Sequence, residues 1–217
     1  MGEFNEKYFI PDEKDKNATT IDAIIGDDEQ VLWRGKPKKS AFIMNAVIRM
    51  LPIALIFLAF DGVFIGMIIS YGEHIPTMFK VFFCVFLVFH LIPVWIWIAN
   101  VVTASRRHKN TEYAFTNKRV IVRTGVIGID FKNAYYADID SVNLKVGIID
   151  KIMKVGDIYI NGRSGAAVIL DVENPYFLTQ KLQKIVVDIK TDVLFPNDLR
   201  PGTNRGYASK YTGGDDK

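Results

Sequence analysis

The hydrophobic positions divide the chain into two long uninterrupted stretches and a later series of short alternating ones. Between residues 41 and 103 charges nearly vanish, and the flanks hold almost all of them. The second stretch, 81–102, runs 22 residues without Asp, Glu, Lys or Arg, and 15 of them are Leu, Ile, Phe or Val. As a helix it is roughly 33 Å long, against a hydrocarbon core of about 30 Å. Those 15 side chains contribute on the order of −5 to −9 kcal/mol to insertion, which His90, Pro93 and Asn100 reduce without reversing. Pro93 predicts a kink, and Trp95 and Trp97 are placed to anchor the helix at the interface.

The first stretch, 41–69, is broken by Arg49 and Asp61. A span over 43–65 lets Arg49 snorkel to one interface and brings Asp61 toward the other, where Lys80 is placed to pair with it. The pattern over 41–103 therefore predicts a two-helix transmembrane hairpin, about 43–65 and 81–102. Arg34, Lys36, Lys38 and Lys39 precede it, Arg106, Arg107 and Lys109 follow it, and the loop 70–77 has neither Lys nor Arg. That asymmetry predicts a multi-pass protein of the cytoplasmic membrane with both termini in the cytoplasm.

After residue 110 the period changes. Short β-branched runs at 111–115, 119–124, 126–131, 138–146, 157–160 and 167–172 are separated by turn residues, and Ile158 and Ile160 alternate with polar neighbours. This predicts an antiparallel barrel or sandwich over 110–190. Asn174 and Pro175 then start a helix, 175–190, whose Leu178, Leu182, Ile185, Val186 and Ile189 form one apolar stripe fit to close the sheet. Residues 1–27 read as a mobile polar leader, 28–40 as a juxtamembrane segment whose Val31-Leu32-Trp33 either adds a strand to the domain or packs in the groove beside it, and 191–217 as a disordered tail.

Composition adds little to this picture. The net charge of +3 gives no argument for nucleic acid, and the single cysteine, Cys84, lies in an apolar run and forms no intramolecular disulfide. The first forty residues lack a signal-peptide pattern.

Several runs carry a family resemblance: Glu29-Gln30-Val31-Leu32-Trp33-Arg34-Gly35-Lys36-Pro37, the block from Tyr113 through Thr116-Asn117-Lys118-Arg119 to Gly125, Ile139-Asp140-Ser141-Val142, and Gly156-Asp157-Ile158-Tyr159-Ile160. Over about residues 28–190 the chain resembles membrane-tethered bacterial pleckstrin-homology-like (PH-like) proteins. The Tyr-x-x-Thr-x-x-Arg block is the most specific part. The resemblance implies a PH-like fold tethered to the membrane. It implies no established chemistry, and phosphoinositide binding does not carry over.

Four sets of residues are candidate sites. Asp61 and His90 are intramembrane ionisable groups, expected either as a proton or ion relay or as a hairpin-stabilising contact. Gly62 and Gly66 have the Gly-x-x-x-Gly spacing of a close helix contact, within the hairpin or between copies. Arg34, Lys36, Lys38, Lys39, Arg106, Arg107 and Lys109 suit anionic headgroups as well as setting topology. Lys118, Arg119 and Arg123 form a possible ligand face on the first β-hairpin, the alternative being a solvated strand face. No phosphate-cradling loop, nucleophile elbow or metal-spaced His/Cys group is present in the sequence, so neither a catalytic residue nor a cofactor nor a metal is expected. The resulting expectation is a non-catalytic, membrane-anchored module that presents a PH-like domain to a protein partner or to its own copies. Sensing of anionic lipid headgroups is the alternative, and a small transporter or channel subunit a lesser one.

Overall fold

The structure is a computed structural model and describes residues 19–26, 29–163 and 165–194. Residues 1–18 of the expected leader and 195–217 of the expected tail lie outside the described residues. In chain order the elements are β1 (Val31–Gly35), α1 (Lys39–Ile48), α2 (Leu51–Tyr71), α3 (Thr77–His90), α4 (Ile92–Asn110), β2 (Glu112–Thr116), β3 (Arg119–Thr124), β4 (Asp130–Tyr135), β5 (Ile139–Lys145), α5 (Ile148–Met153), β6 (Val155–Gly162), β7 (Gly165–Glu173) and α6 (Pro175–Leu194).

Strands β1-β2-β3-β4 make one antiparallel sheet and β5-β6-β7 a second. The inward-facing residues of both sheets form the core: Tyr113, Phe115, Val120 and Val122 from the first, Ile158, Ile160 and Ile169 from the second. The stripe on α6 closes it, with Leu178, Leu182, Ile185 and Val186 buried and Ile189 packed alongside. Alternation predicted this face of β6, and Pro175 begins α6 where its fixed φ suits the first helical position.

Five details refine or change the sequence expectation. Of the two places open to Val31-Leu32-Trp33 in the juxtamembrane segment, the structure shows the strand: Val31–Gly35 is the first of the sheet, with Trp33 opposite Phe115 and Gly35 opposite Tyr113. The all-helical insert α1–α4 therefore interrupts the β domain between its first and second strands, and the domain is wider than 110–190. The run 126–131 is mainly a turn. Gly125, at φ 155°, brings its backbone so close to the Gly128 carbonyl that a Cβ there would clash with it, so the chain reverses before β4 begins at Asp130. The stretch after Lys145 forms α5, started by the Asp150 carboxylate accepting from the Gly147 amide at 2.8 Å. Residues 20–26, assigned to the leader, are docked: Ile21 is fully buried against Ala114 and Ile121, beside Ile24, Ile25 and Phe131. At the other end α6 continues to Leu194, past the expected start of the tail.

The helices are also distributed differently. Lys39–His74 is one helical stretch of 36 residues whose most apolar 18-residue window has a mean hydropathy of 2.4, long and apolar enough to cross a membrane. It loosens at Arg49 and Met50, because Pro52 has no N–H for the Ile48 carbonyl. The Val47 carbonyl there is taken by the Trp97 indole at 2.8 Å. The second expected span is divided at Leu91 into α3 and α4, bent by 41°, and reaches the length and hydropathy of a span only if the two are counted together. Pro93 lies just past that break. A two-helix transmembrane hairpin is thus represented by one qualifying helix and one bent pair.

Candidate functional site

The most specific sequence block turns out to be a joint. Glu29 and Gln30 precede the helical insert, Thr116 to Arg119 follow it, and the fold brings them together. The Gln30 amide donates to Asn117 Oδ1 at 3.0 Å, and the Asn117 amide donates to the Gln30 carbonyl at 2.9 Å. Arg119 grips Glu29 with Nε at 2.9 Å from Oε1 and Nη2 at 2.8 Å from Oε2, and Nη2 also donates to the Ile24 carbonyl at 2.7 Å. The Thr116 hydroxyl lies 2.6 Å from Glu29 Oε1 and accepts from the amides of Lys118 and Arg119, which sets the β2–β3 turn. Burial alone would push the Glu29 carboxyl up, but Arg119 and Thr116 outweigh it and hold the carboxyl below its ordinary value. Tyr113 completes the block from the other side: its buried hydroxyl donates to the Leu170 carbonyl at 3.2 Å and accepts from the Leu170 amide at 3.0 Å. It therefore ties the two sheets, and burial raises its phenol well above the usual range. Trp33 folds its indole over Gly35 so closely that any Cβ there would overlap the ring, which explains the Trp-x-Gly spacing.

These contacts fix the fate of the expected ligand face. Arg119 is consumed by Glu29, with the Tyr135 ring 5.5 Å from its guanidinium. Arg123 lies 4.0 Å from Glu112, both side chains largely buried. Lys118 is exposed on the turn. The three residues are on one hairpin, but the two arginines are directed inward as structural partners.

The juxtamembrane basic residues gather at the foot of a stalk in which α1 packs along the end of α4. Arg34 pairs with Asp22 and holds that carboxyl below its usual value. Lys38 Nζ donates to the Met153 carbonyl at 3.0 Å and approaches Glu173 at 3.4 Å. Arg107 donates to Asn100 Oδ1 at 3.2 Å. Lys36, Lys39, Arg106 and Lys109 are exposed. Ten helical residues, roughly 15 Å, separate this foot from the Arg49 end of α1, where the apolar helix begins.

Along the stalk a cleft of about 720 Å³ opens between α1 and the second sheet, lined among others by Asn45, Arg49, Arg107, Lys145, Asp157 and Asp171. Sequence reading missed it, because its groups come from five separate elements. The Asn45 amide donates to Asp171 Oδ1 at 2.6 Å and to Asp150 Oδ1 at 3.0 Å. The Lys38 amide donates to the Asp171 carbonyl at 2.9 Å, and the Asp171 amide donates to Asp157 Oδ1 at 2.9 Å. Burial, then the neighbouring Asp157, pushes the Asp171 carboxyl up to about 7. Burial pushes Asp157 up as well. Asp171 has φ 52°, a left-handed conformation that Asp tolerates better than most residues. Among the described residues no three His, Cys, Asp or Glu side chains are arranged to hold a metal ion.

In the helical insert Asp61 stands midway along α2, its side chain 4% exposed, with Oδ1 2.8 Å from His90 Nδ1. Its partner is His90 rather than Lys80. Neither carboxylate oxygen receives an aligned hydrogen bond, and Phe57, Phe60 and Phe86 pack around the imidazole. Gly62 and Gly66 face open space among the described residues: a Cβ at either would meet nothing within 4 Å. They make no contact inside the hairpin.

Two sheets of four and three antiparallel strands closed by a C-terminal helix, with helices inserted after the first strand, fit a PH-like domain interrupted by a helical insert. The family model described as "Bacterial PH domain" matches residues 41–186, and the chain belongs to that family. No curated protein and no solved structure matches it.

Proposed function

We propose that this protein is a membrane-anchored, non-catalytic PH-like interaction module, which holds its β domain against the cytoplasmic leaflet and offers it to a protein partner or to copies of itself. The observation that carries the reading is the contrast between the two halves. Along α2, α3 and the start of α4 large apolar side chains such as Ile56, Val63, Ile69, Phe82 and Phe89 are exposed, and only 11% of the most apolar window of the long helix is buried. No aqueous surface of that extent is stable, and acyl chains are the solvent that suits it. The β domain has a complete core and is fastened to the helices through Asn45, Lys38 and β1, so anchoring the helices positions the domain. Tethering raises the effective concentration of any partner that shares the surface.

Self-association is favoured over the other assemblies by Gly62 and Gly66, whose outward position leaves a close-approach face for another helix. The test is membrane fractionation followed by cross-linking of the full chain in mild detergent. Recovery in the alkali-resistant membrane pellet, with a cross-linked dimer or a stable co-purifying partner, is expected. A chain released by alkali would refute the anchoring, and a strictly solitary chain would refute the scaffold role.

A further inference from the structure

Helix α5 carries a surface the fold does not use. Its inner side is fixed by Asp150, which accepts from Asn45 and from the Gly147 amide. Its outer side presents Ile148, 84% exposed, and Ile152, 74% exposed. The two are one turn apart and share a face with Lys151. Lys145 before the helix, and Lys154 just after it, are exposed too. The position of this helix gives the patch its meaning. Ile148 and Ile149 line the same cleft as Ile48, Arg49 and Met50, the residues at which the long helix turns apolar. Arg49 is exposed there. Of the cleft carboxylates, Asp150 and Asp171 are buried beneath this surface and bound to Asn45, while the half-buried Asp157, cross-strand from Lys145, accepts from the Asp171 amide.

We infer that α5 lies on the bilayer surface as a second, shallow membrane contact: Ile148 and Ile152 enter the acyl boundary, while Lys145, Lys151, Lys154 and Arg49 meet anionic headgroups. An apolar pair rimmed by cations suits that boundary, and continuity with the start of α2 places it at the right depth. A helix this short holds the membrane weakly by itself. Its effect is to fix the tilt of the β domain, so that the same edges and loops always face the cytosol. The inference rests on the reading that α2 spans the bilayer.

The experiment separates the two. Full-length protein is reconstituted into vesicles of phosphatidylcholine containing phosphatidylglycerol, and an environment-sensitive dye is placed on single cysteines. The native Cys84, exposed on α3, reports on the hairpin. Ile148→Cys and Ile152→Cys, each with Cys84→Ser, report on α5; both side chains are exposed, so the core is spared. Asp140→Cys, also with Cys84→Ser, is the control, exposed at the opposite end of β5, roughly 17 Å from Lys145. Spin-labelled lipid should quench dyes at 84, 148 and 152, the last two at least about twofold more than at 140, with blue-shifted emission. Quenching at 84 but not at 148 or 152 overturns this inference and leaves the anchoring intact. Absence of quenching at 84 overturns the anchoring itself. A signal at 148 and 152 that persists unchanged in pure phosphatidylcholine overturns the headgroup contact.

Discussion

The Asn45 side chain on α1 bridges two carboxylates of the β domain, 2.6 Å from Asp171 Oδ1 and 3.0 Å from Asp150 Oδ1. One amide thus joins the helical insert to β7 and to α5. Asn45→Ala removes both donors and leaves two buried acceptors short of a partner, which costs about 2 kcal/mol. Denaturant unfolding of the full chain in detergent micelles is expected to show this loss, together with faster proteolysis around α5.

The raised Asp171 carboxyl makes stability fall with pH. In the folded chain it holds its proton up to about 7, whereas the unfolded residue releases it near its ordinary value of 3.8. Between those limits the folded state binds more protons than the unfolded one, so stability declines as pH rises through the window and levels off above it. Asp171→Asn keeps the acceptor for Asn45 and the tolerance for positive φ while abolishing the charge. The variant should lose Asp171's share of the slope between pH 4 and 7, leaving the shallower part that the raised Asp157 contributes, and gain on the order of 2 kcal/mol at alkaline pH, less than the full pKa difference because the cleft is open to water. Thermal melts across pH measure both.

Glu29 and Arg119 act in the opposite sense. Their side chains are 4% and 12% exposed, so truncating one strands the other. Glu29→Ala is expected to cost about 3 kcal/mol and to release the segment that carries β1. The Glu29 carboxyl is held below its ordinary 4.5, so its contribution is present above that pH and fades as acid takes the solution through the lowered folded value. Hydrogen exchange at Val31–Gly35 reads the release directly.

The Asp61–His90 contact is expected to specify the hairpin rather than strengthen it. His90→Phe leaves a carboxylate alone among aromatic rings and should destabilise the helices by about 3 kcal/mol, whereas Asp61→Leu combined with His90→Phe should match or exceed the parent. Melting temperatures in detergent, compared as a double-mutant cycle, decide it. A double variant as unstable as the single one would give the pair an energetic role of its own.

The sequence was informative where a period or a resemblance had a direct physical cause. The alternation of Ile158 and Ile160 reported burial on one face of β6, and the stripe from Leu178 to Val186 reported the helix that closes the core. The resemblance at Tyr113, Thr116 and Arg119 indicated the family, although their part as a joint stayed hidden because Glu29 lies 90 residues from Arg119. For the same reason the sequence leaves Val31-Leu32-Trp33 two places, in the sheet or beside it: nothing local in Val31–Gly35 states that its partner lies beyond four helices. The cleft was illegible for a related cause, since Asn45, Asp157 and Asp171 are unremarkable alone and only topology converges them. Asp61 stands out in the sequence as an ionisable group within an apolar stretch, but its partner His90, rather than Lys80, follows only from how α2 and α3 pack.

Placing β1 ahead of the helices has a consequence for biogenesis. During translation the first strand emerges and waits without its sheet partner while the four helices α1–α4 are made. Only when Thr116 arrives does its neighbour exist. The first sheet can therefore be completed only after the whole helical insert has been synthesised, and a chain cut short anywhere before β2 carries a first strand with no neighbour.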